Sequence, residues 1–271
     1  MTLKKYYQKF KMKKIKHIFT FLRNIRIPKI FGLIKFMPLI KALIKIKITN
    51  NVQEKICSTE DLFILSCCIN QRDGNYFNYN NKQSEYDRFI EVCNSIISVR
   101  TIFPNCKIVY LDNSRITIEY EKYLVNIVDD YKNYSDNPLM IEARKIENKG
   151  VPWSLTNLLY LVDGIKKYKA VNVHFLNGRY TISNLTLENT KLHSTLNTLY
   201  IKFKVFNVSL IYLFFKQVNI NLMASYFKAA CLLSVTGFSV EDVFAVSRLK
   251  TIYLTKLGVH GNINGGMKNS E

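Results

Sequence analysis

Three strand-length apolar stretches, set apart by helix-length segments, constrain this chain more than any other feature. They are LFILSCCI at residues 62–69, KIVYL at 107–111 and KAVNVHFL at 169–176. The first is an uninterrupted apolar run, as in a strand covered on both faces. Between the first and second lies YDRFIEVCNSIISVRTIF (86–103), with Phe89, Val92, Cys93, Ile96, Ile97 and Val99 at helical spacing before Pro104-Asn105 stops it. Residues 118–128 predict another helix. PWSLTNLLYLVDGIKK (152–167) predicts a third, with proline in its first turn. Strand and helix therefore alternate. The expected fold is an α/β domain with a mixed, mostly parallel sheet flanked by helices. In such sheets ligands gather at the carboxyl ends of the strands. Three polar stretches fall there: 70–73, 112–114 and 177–180. Residues 70–84 read as a polar loop beside the ligand. Further along, 198–212 is strand-like, 205–215 reads as internal core and 221–235 is helical. GVHGNINGG (258–266) reads as a loop closing over the site.

Charge divides the chain in two. Residues 1–50 hold fourteen Lys or Arg and no Asp or Glu, whereas the remaining residues hold 25 basic and 20 acidic side chains. The net charge of +19 thus belongs mainly to an N-terminal arm, and residues 51–271 form the main domain. Within the arm, Tyr7, Phe10, Ile15, Ile18, Phe19, Leu22 and Ile25 recur at threes and fours among lysines. Such a helix can sink its apolar face into an acyl boundary while lysines meet anionic headgroups. A protein partner or nucleic acid would meet the same charges. The continuous apolar stripe favours an anionic membrane surface over nucleic acid. No uncharged run reaches the length that crosses a bilayer, and no cleavable leader is evident. The expected location is cytoplasmic, peripheral to the inner face of the membrane. Six cysteines lack CxxC or Cys/His metal spacing and read as free thiols.

The stretch VHFLNGRY (173–180) ends an apolar strand on Asn177, Gly178, Arg179 and Tyr180. Glycine permits close backbone approach, a guanidinium can meet two phosphate oxygens, and a phenol can stack on a sugar. An arginine here can equally salt-bridge an acidic neighbour at the rim. Glu241-Asp242 follows Gly237-Phe238-Ser239. A carboxylate at a helix start could take a proton from an acceptor hydroxyl, or simply sit in the first turn behind a Ser239 cap. Lys149-Gly150 precedes a helix and could form an anion site, or serve only the turn. His260 lies between glycines and is the better functional histidine, whereas His174, Trp153 and Tyr160 read as structural.

The succession FPNCKIVYLDNS, NKGVPWSLTNLLYLVDGI, VHFLNGRYTIS, GFSVEDVF and LGVHG resembles bacterial and viral glycosyltransferase-like proteins associated with surface-polysaccharide synthesis, over roughly residues 60–265. The resemblance implies a Rossmann-type nucleotide-sugar-binding domain of the A class. It implies that Asn70, Gln71 and Arg72 contact base and ribose, and that Asp112 holds uracil or ribose. The Asp-x-Asp that grips Mn²⁺ or Mg²⁺ in that class would fall at Leu176-Asn177-Gly178, where it is absent. One amide oxygen cannot replace two carboxylates as ligands of such a cation. Arg179 would then neutralise the leaving diphosphate, with Glu241 or Asp242 as base. The implied function is transfer of a sugar from a nucleotide-sugar to a lipid-linked or surface glycan. The alternative is a catalytically inactive, membrane-peripheral binding protein of the same fold.

Overall fold

The computed structural model describes residues 35–48, 57–71, 83–146, 148, 150–193, 199–204, 207–209, 212–216, 220–245, 251–254, 258–263 and 266–268 of the 271-residue chain. A five-stranded sheet forms its centre, in the order β3-β2-β1-β4-β8. Its strands are β1 (Cys57–Cys67), β2 (Lys107–Asp112), β3 (Asp130–Asn133), β4 (Tyr168–Asn177) and β8 (Tyr212–Lys216). The first four are parallel, and β8 closes one edge antiparallel to β4. The expected mixed, mostly parallel α/β architecture is the one observed.

The topology reverses beside β1. The chain passes outward from β1 to β2 to β3, then returns across the sheet to place β4 on the other side of β1. Outside the carboxyl ends of β1 and β4 the connections diverge, the position at which sheets of this kind bind their ligands.

Each face of the sheet carries its own core. One face is covered by α2 (Glu85–Ile102) and α3 (Ile118–Ile127). There Phe63, Leu65, Ile108, Tyr110 and Phe214 meet Phe89, Val92, Ile96, Val99 and Phe103. A Ser84–Asp87 capping box starts α2: the Ser84 side chain accepts from the Asp87 N–H, and the Asp87 carboxylate accepts from that of Ser84. The other face holds Leu62, Ile64, Val109, Leu111, Val173, Phe175, Leu213 and Phe215. It packs against α4 (Pro138–Arg144), α5 (Gly150–Leu159), α7 (Ile220–Val235) and α8 (Val240–Ala245). Fully burying a Leu, Ile or Phe side chain stabilises by about 1.5–3 kcal/mol, so these two layers dominate the folding energy.

Some elements differ from the sequence reading. The helix expected at 152–167 is α5, followed by a π-helical turn (Tyr160–Gly164) and a 3₁₀ turn (Ile165–Lys167). Residues 130–133, DYKN, form edge strand β3; they are only partly covered, so no apolar signal marks them. The expected strand at 198–212 is broken into β6 (Leu199–Lys204) and β7 (Asn207–Ser209), ahead of β8. With β9 (Thr251–Leu254), β6 and β7 form a separate three-stranded sheet. A further small sheet joins β5 (Thr181–Ile182), β10 (Val259–Ile263) and β11 (Gly266–Lys268). The glycine-rich tail expected as a closing loop is therefore a β-hairpin. A Cβ on Gly261 would lie 2.4 Å from Tyr180 Cδ1, so that glycine serves close packing and not mobility. Helix α6 (Asn184–His193) packs beside it, with Thr186 Oγ1 donating to the Gly258 carbonyl.

The boundary expected at residue 50 runs behind a helix that belongs to the body. Helix α1 (Met37–Lys45) buries Leu39 and Leu43 in the α5/α7 core. Lys228 caps its end by donating to the Ile44 and Ile46 carbonyls. The stripe at residues 7–25 lies outside the described residues. Among the described residues no helix is long and apolar enough to cross a membrane.

Candidate functional site at the carboxyl edge of the sheet

The ends of β1, β2 and β4 are knit together by side chains. Asp112, wholly buried at the end of β2, accepts from the Tyr110 hydroxyl (2.7 Å) and from the Ser114 hydroxyl and N–H (2.6 and 2.8 Å). Burial pushes its carboxyl up to about 6 despite those hydrogen bonds. Ser114 Oγ in turn accepts from the Asn70 N–H at 3.0 Å, and the Asn70 amide donates to the Arg115 carbonyl. Asp112 and Asn70 therefore fix the loops after β2 and β1 against each other, and Asp112 presents no surface to solvent.

Gly178 sits where β4 leaves the sheet. Its N–H donates to the Ser66 carbonyl, and a Cβ there would come within 3.2 Å of Cys67 Cβ and 3.3 Å of Tyr110 Cε2. Such close backbone approach favours glycine over any residue carrying a Cβ. Beside it the Arg179 side chain, 17% exposed, turns toward α2. Its Nη1 donates to Gln83 Oε1 at 3.2 Å and lies 3.7 Å from Glu91 Oε2. Glu91 Oε1 accepts from Gln83 Nε2. Arg179 thus has the acidic rim neighbour that the sequence left open. Asn177 Oδ1 accepts from the Arg179 N–H at 3.4 Å, and Tyr180 is buried, its carbonyl accepting from Ser95.

A second guanidinium escaped the sequence reading. Arg88 of α2, only 4% exposed, donates to the Cys68 carbonyl at 2.7 Å. With the Gln71 amide oxygen turned toward it, Arg88 also donates to Gln71. Burial holds its guanidinium below the usual arginine range, and the nearby Arg179 charge acts in the same direction. Glu91 is paired with Arg179, and its charge also acts on Arg88. A signal was present: position 88 falls on the buried stripe it shares with Val92, Ser95 and Val99, and a cation on such a stripe is held there by something specific.

The remaining expected residues are distributed unevenly. Strand β10 brings His260 beside Thr181, immediately after Tyr180, so the fold unites those two sequence-distant sites. Glu241 and Asp242 lie in α8, whose Val240 and Val243 pack in the α5/α7 core; their side chains are not among the described features. Arg72 and Lys149 lie outside the described residues. Trp153 and Tyr160 pack in or against the core of the α5 face, as expected of structural aromatics. His174 is completely buried, stacked on Phe63 with ring centroids 4.1 Å apart.

Among the described residues no group of three or more His, Cys, Asp or Glu side chains is placed to hold a metal ion. At the β4 end a divalent cation would meet one amide oxygen next to a guanidinium. That donor set does not fit it, and no step below runs through one. The described cysteines 67, 68, 93, 106 and 231 are free, as expected, and burial pushes the Cys67 thiol up to about 11.

No family model matches the chain, and no curated protein matches it. Among solved structures, it is similar to 4-diphosphocytidyl-2C-methyl-D-erythritol synthase from Anaerococcus prevotii: 11% identity, 78% of this chain and 90% of that one covered, TM-score 0.41. It is also similar to core-mannan synthase A from Aspergillus fumigatus, solved in its Mn/GDP form: 8% identity, 78% of that chain and 82% of this one, TM-score 0.38. At such scores these likenesses carry no argument, and function is read from the chain's own residues.

Proposed function

We propose that this protein is a glycosyltransferase that binds a nucleotide-sugar outside the carboxyl ends of β1 and β4 and passes the sugar to a lipid-linked or surface glycan. One observation carries the reading: Arg88 and Arg179 place two guanidiniums at the reversal point of a parallel sheet, with the Glu91 carboxylate beside Arg179. Partly desolvated cations attract phosphate oxygens more strongly than exposed ones. The diphosphate lies against Arg179 and the Gly178 turn, with Arg88 behind them. As the glycosidic bond to the leaving phosphate breaks, Arg179 offsets the charge that develops there. Glu241 or Asp242 takes the acceptor hydroxyl's proton. Asn70 and Asp112 act by holding the loops of the site, and Tyr180 and His260 line its far wall.

The acceptor is placed at an anionic membrane surface by the basic arm. Helix α1 exposes Lys35, Lys41, Lys45 and Lys47 of its segment together with Met37 and Ile44, while Leu39 and Leu43 anchor it to the body. Each lysine near such a surface contributes roughly 1 kcal/mol. Flotation with anionic but not neutral liposomes, lost at high salt, is the expected behaviour.

Thermal-shift titration with nucleoside diphosphates and nucleotide-sugars, with and without Mn²⁺, tests the central reading. Stabilisation by at least one nucleoside diphosphate is expected. Arg179→Ala should weaken diphosphate binding about tenfold or more and leave nucleoside binding nearly unchanged. Equal losses for both ligands remove its assigned role. No response to any nucleotide favours the second reading, an inactive protein of the same fold, which the missing Asp-x-Asp supports.

A further inference from the structure

Arg179 is held by two side chains of the α2 segment, and it is held incompletely. Gln83, just ahead of the Ser84 cap, bridges it to Glu91 two turns along the helix. Gln83 Oε1 accepts from Arg179 Nη1 at 3.2 Å, and Gln83 Nε2 donates to Glu91 Oε1 at 2.7 Å, so both bonds demand the same orientation of the amide. Glu91 Oε2 is buried and makes no hydrogen bond; it faces Arg179 Nη1 at 3.7 Å, charge against charge. Among the described residues, Gln83 alone accepts a hydrogen bond from the guanidinium, which leaves the Nε and Nη2 edge unengaged.

Arg88 is secured in another way. It is 4% exposed and donates to the Cys68 carbonyl at 2.7 Å and to the Gln71 amide oxygen, neither of which carries a charge. Main chain holds it, and main chain is not exchanged for a ligand. The partners of Arg179 are side chains, and one of them is an anion. A phosphate group offers Arg179 the charge that Glu91 offers, together with paired hydrogen bonds that Glu91 does not make. Phosphate and Glu91 therefore compete for one guanidinium.

We propose that Glu91 is an internal competitor of the anionic ligand: it draws Arg179 toward α2, and a phosphate binds by exchanging the Glu91–Arg179 pair for its own pair with Arg179. The proposal rests on the reading above that Arg179 meets phosphate, and adds what sets the affinity there. An anion that needs Arg179 released binds more weakly in proportion to the fraction of time the guanidinium is released. The exchange does not strand the carboxylate. Glu91 keeps the Gln83 amide as a hydrogen-bond donor, and the Arg88 charge still acts on it.

Isothermal titration of the full chain with inorganic pyrophosphate tests this, on the unaltered protein, Glu91→Gln, Arg179→Ala and the double variant. Glu91→Gln should tighten pyrophosphate about tenfold, and the gain should vanish where Arg179 is already alanine. A residue that only supports the fold would weaken binding when altered, so the sign of the change separates the two roles. Gln83→Ala removes the other internal partner of Arg179 from a partly exposed position ahead of α2 and should tighten binding about threefold. That variant decides the matter if Glu91→Gln does not fold. Unchanged or weaker binding in Glu91→Gln and Gln83→Ala overturns the competition. An equal gain in the Arg179→Ala background also overturns it, because Glu91 would then repel the ligand directly. In both cases the unaltered chain still binds pyrophosphate and the reading of the site stands. If pyrophosphate binds neither the unaltered chain nor any variant, the phosphate reading of Arg179 falls, and this inference falls with it.

Discussion

Strand β4 carries one buried polar cluster along its middle and meets another at its carboxyl end, and the two are finished differently. Within the strand, His174 bridges Asp61 Oδ1 (2.9 Å) and the Tyr212 hydroxyl (2.7 Å). Asn172 donates to the same Asp61 oxygen and accepts from Lys216, and the Tyr212 and Thr190 hydroxyls are 3.3 Å apart. This network ties antiparallel edge strand β8 and helix α6 to β1 and β4. At the carboxyl end, Arg179 pairs with Glu91, Arg88 lies close by on the Cys68 carbonyl, and the Asn113 and Asn157 amide oxygens go unpartnered. A completed network needs nothing further and serves the fold. An incomplete one is stabilised by whatever completes it, which is the condition for binding.

The largest effect is expected from His174→Phe. Asp61 and Tyr212 would each lose their imidazole partner, costing about 3–5 kcal/mol in chemical denaturation. Asn113→Ala, at the incomplete end, should cost within about 1 kcal/mol because its oxygen loses nothing. Comparable losses in both clusters would erase the distinction.

The two clusters should also titrate in opposite senses. Burial holds the His174 imidazole below its usual 6.5, although Asp61 pulls it the other way. The unfolded chain then takes up a proton that the fold refuses, and stability falls as pH drops below about 6.5. Burial raises Asp112 from 3.8 to about 6, so between those values the fold keeps a proton that the unfolded chain has released. Its contribution is present at low pH and lost as pH rises through about 6. Asp112→Asn should therefore steepen the loss of stability between pH 6 and 4, and His174→Gln should flatten it. Unchanged slopes in both variants would mean that other groups set the acid response.

The smallest effect expected is a gain. Ser154→Ala removes a buried hydroxyl with no partner among the described residues and should raise stability by about 1 kcal/mol. A loss of similar size would show that the hydroxyl is satisfied in solution.

The central strands were legible because apolar runs such as LFILSCCI have few places to go but between two helical layers. Edge strand β3 was not, since a partly covered DYKN carries no such pattern. The β10–β11 hairpin was hidden for a different reason: glycine reads as loop, while Gly261 is required by the Tyr180 ring against it. At the site, Gly178 and Arg179 stood out as the punctuation of a strand. The pairing of Arg179 with Gln83 and Glu91 depends on how α2 crosses the sheet, and spacing along the chain does not encode that.

By itself the sequence determined the alternation of strand and helix, the parallel sheet and the concentration of basic charge in residues 1–50. These follow from local periodicity and composition, which act between near neighbours. Tertiary structure alone decided which buried polar groups are completed and which are not. Hydrogen-bond partners such as His174 and Asp61, or Asn157 and Ser66, lie about a hundred residues apart in the chain and meet only when the strands and helices pack.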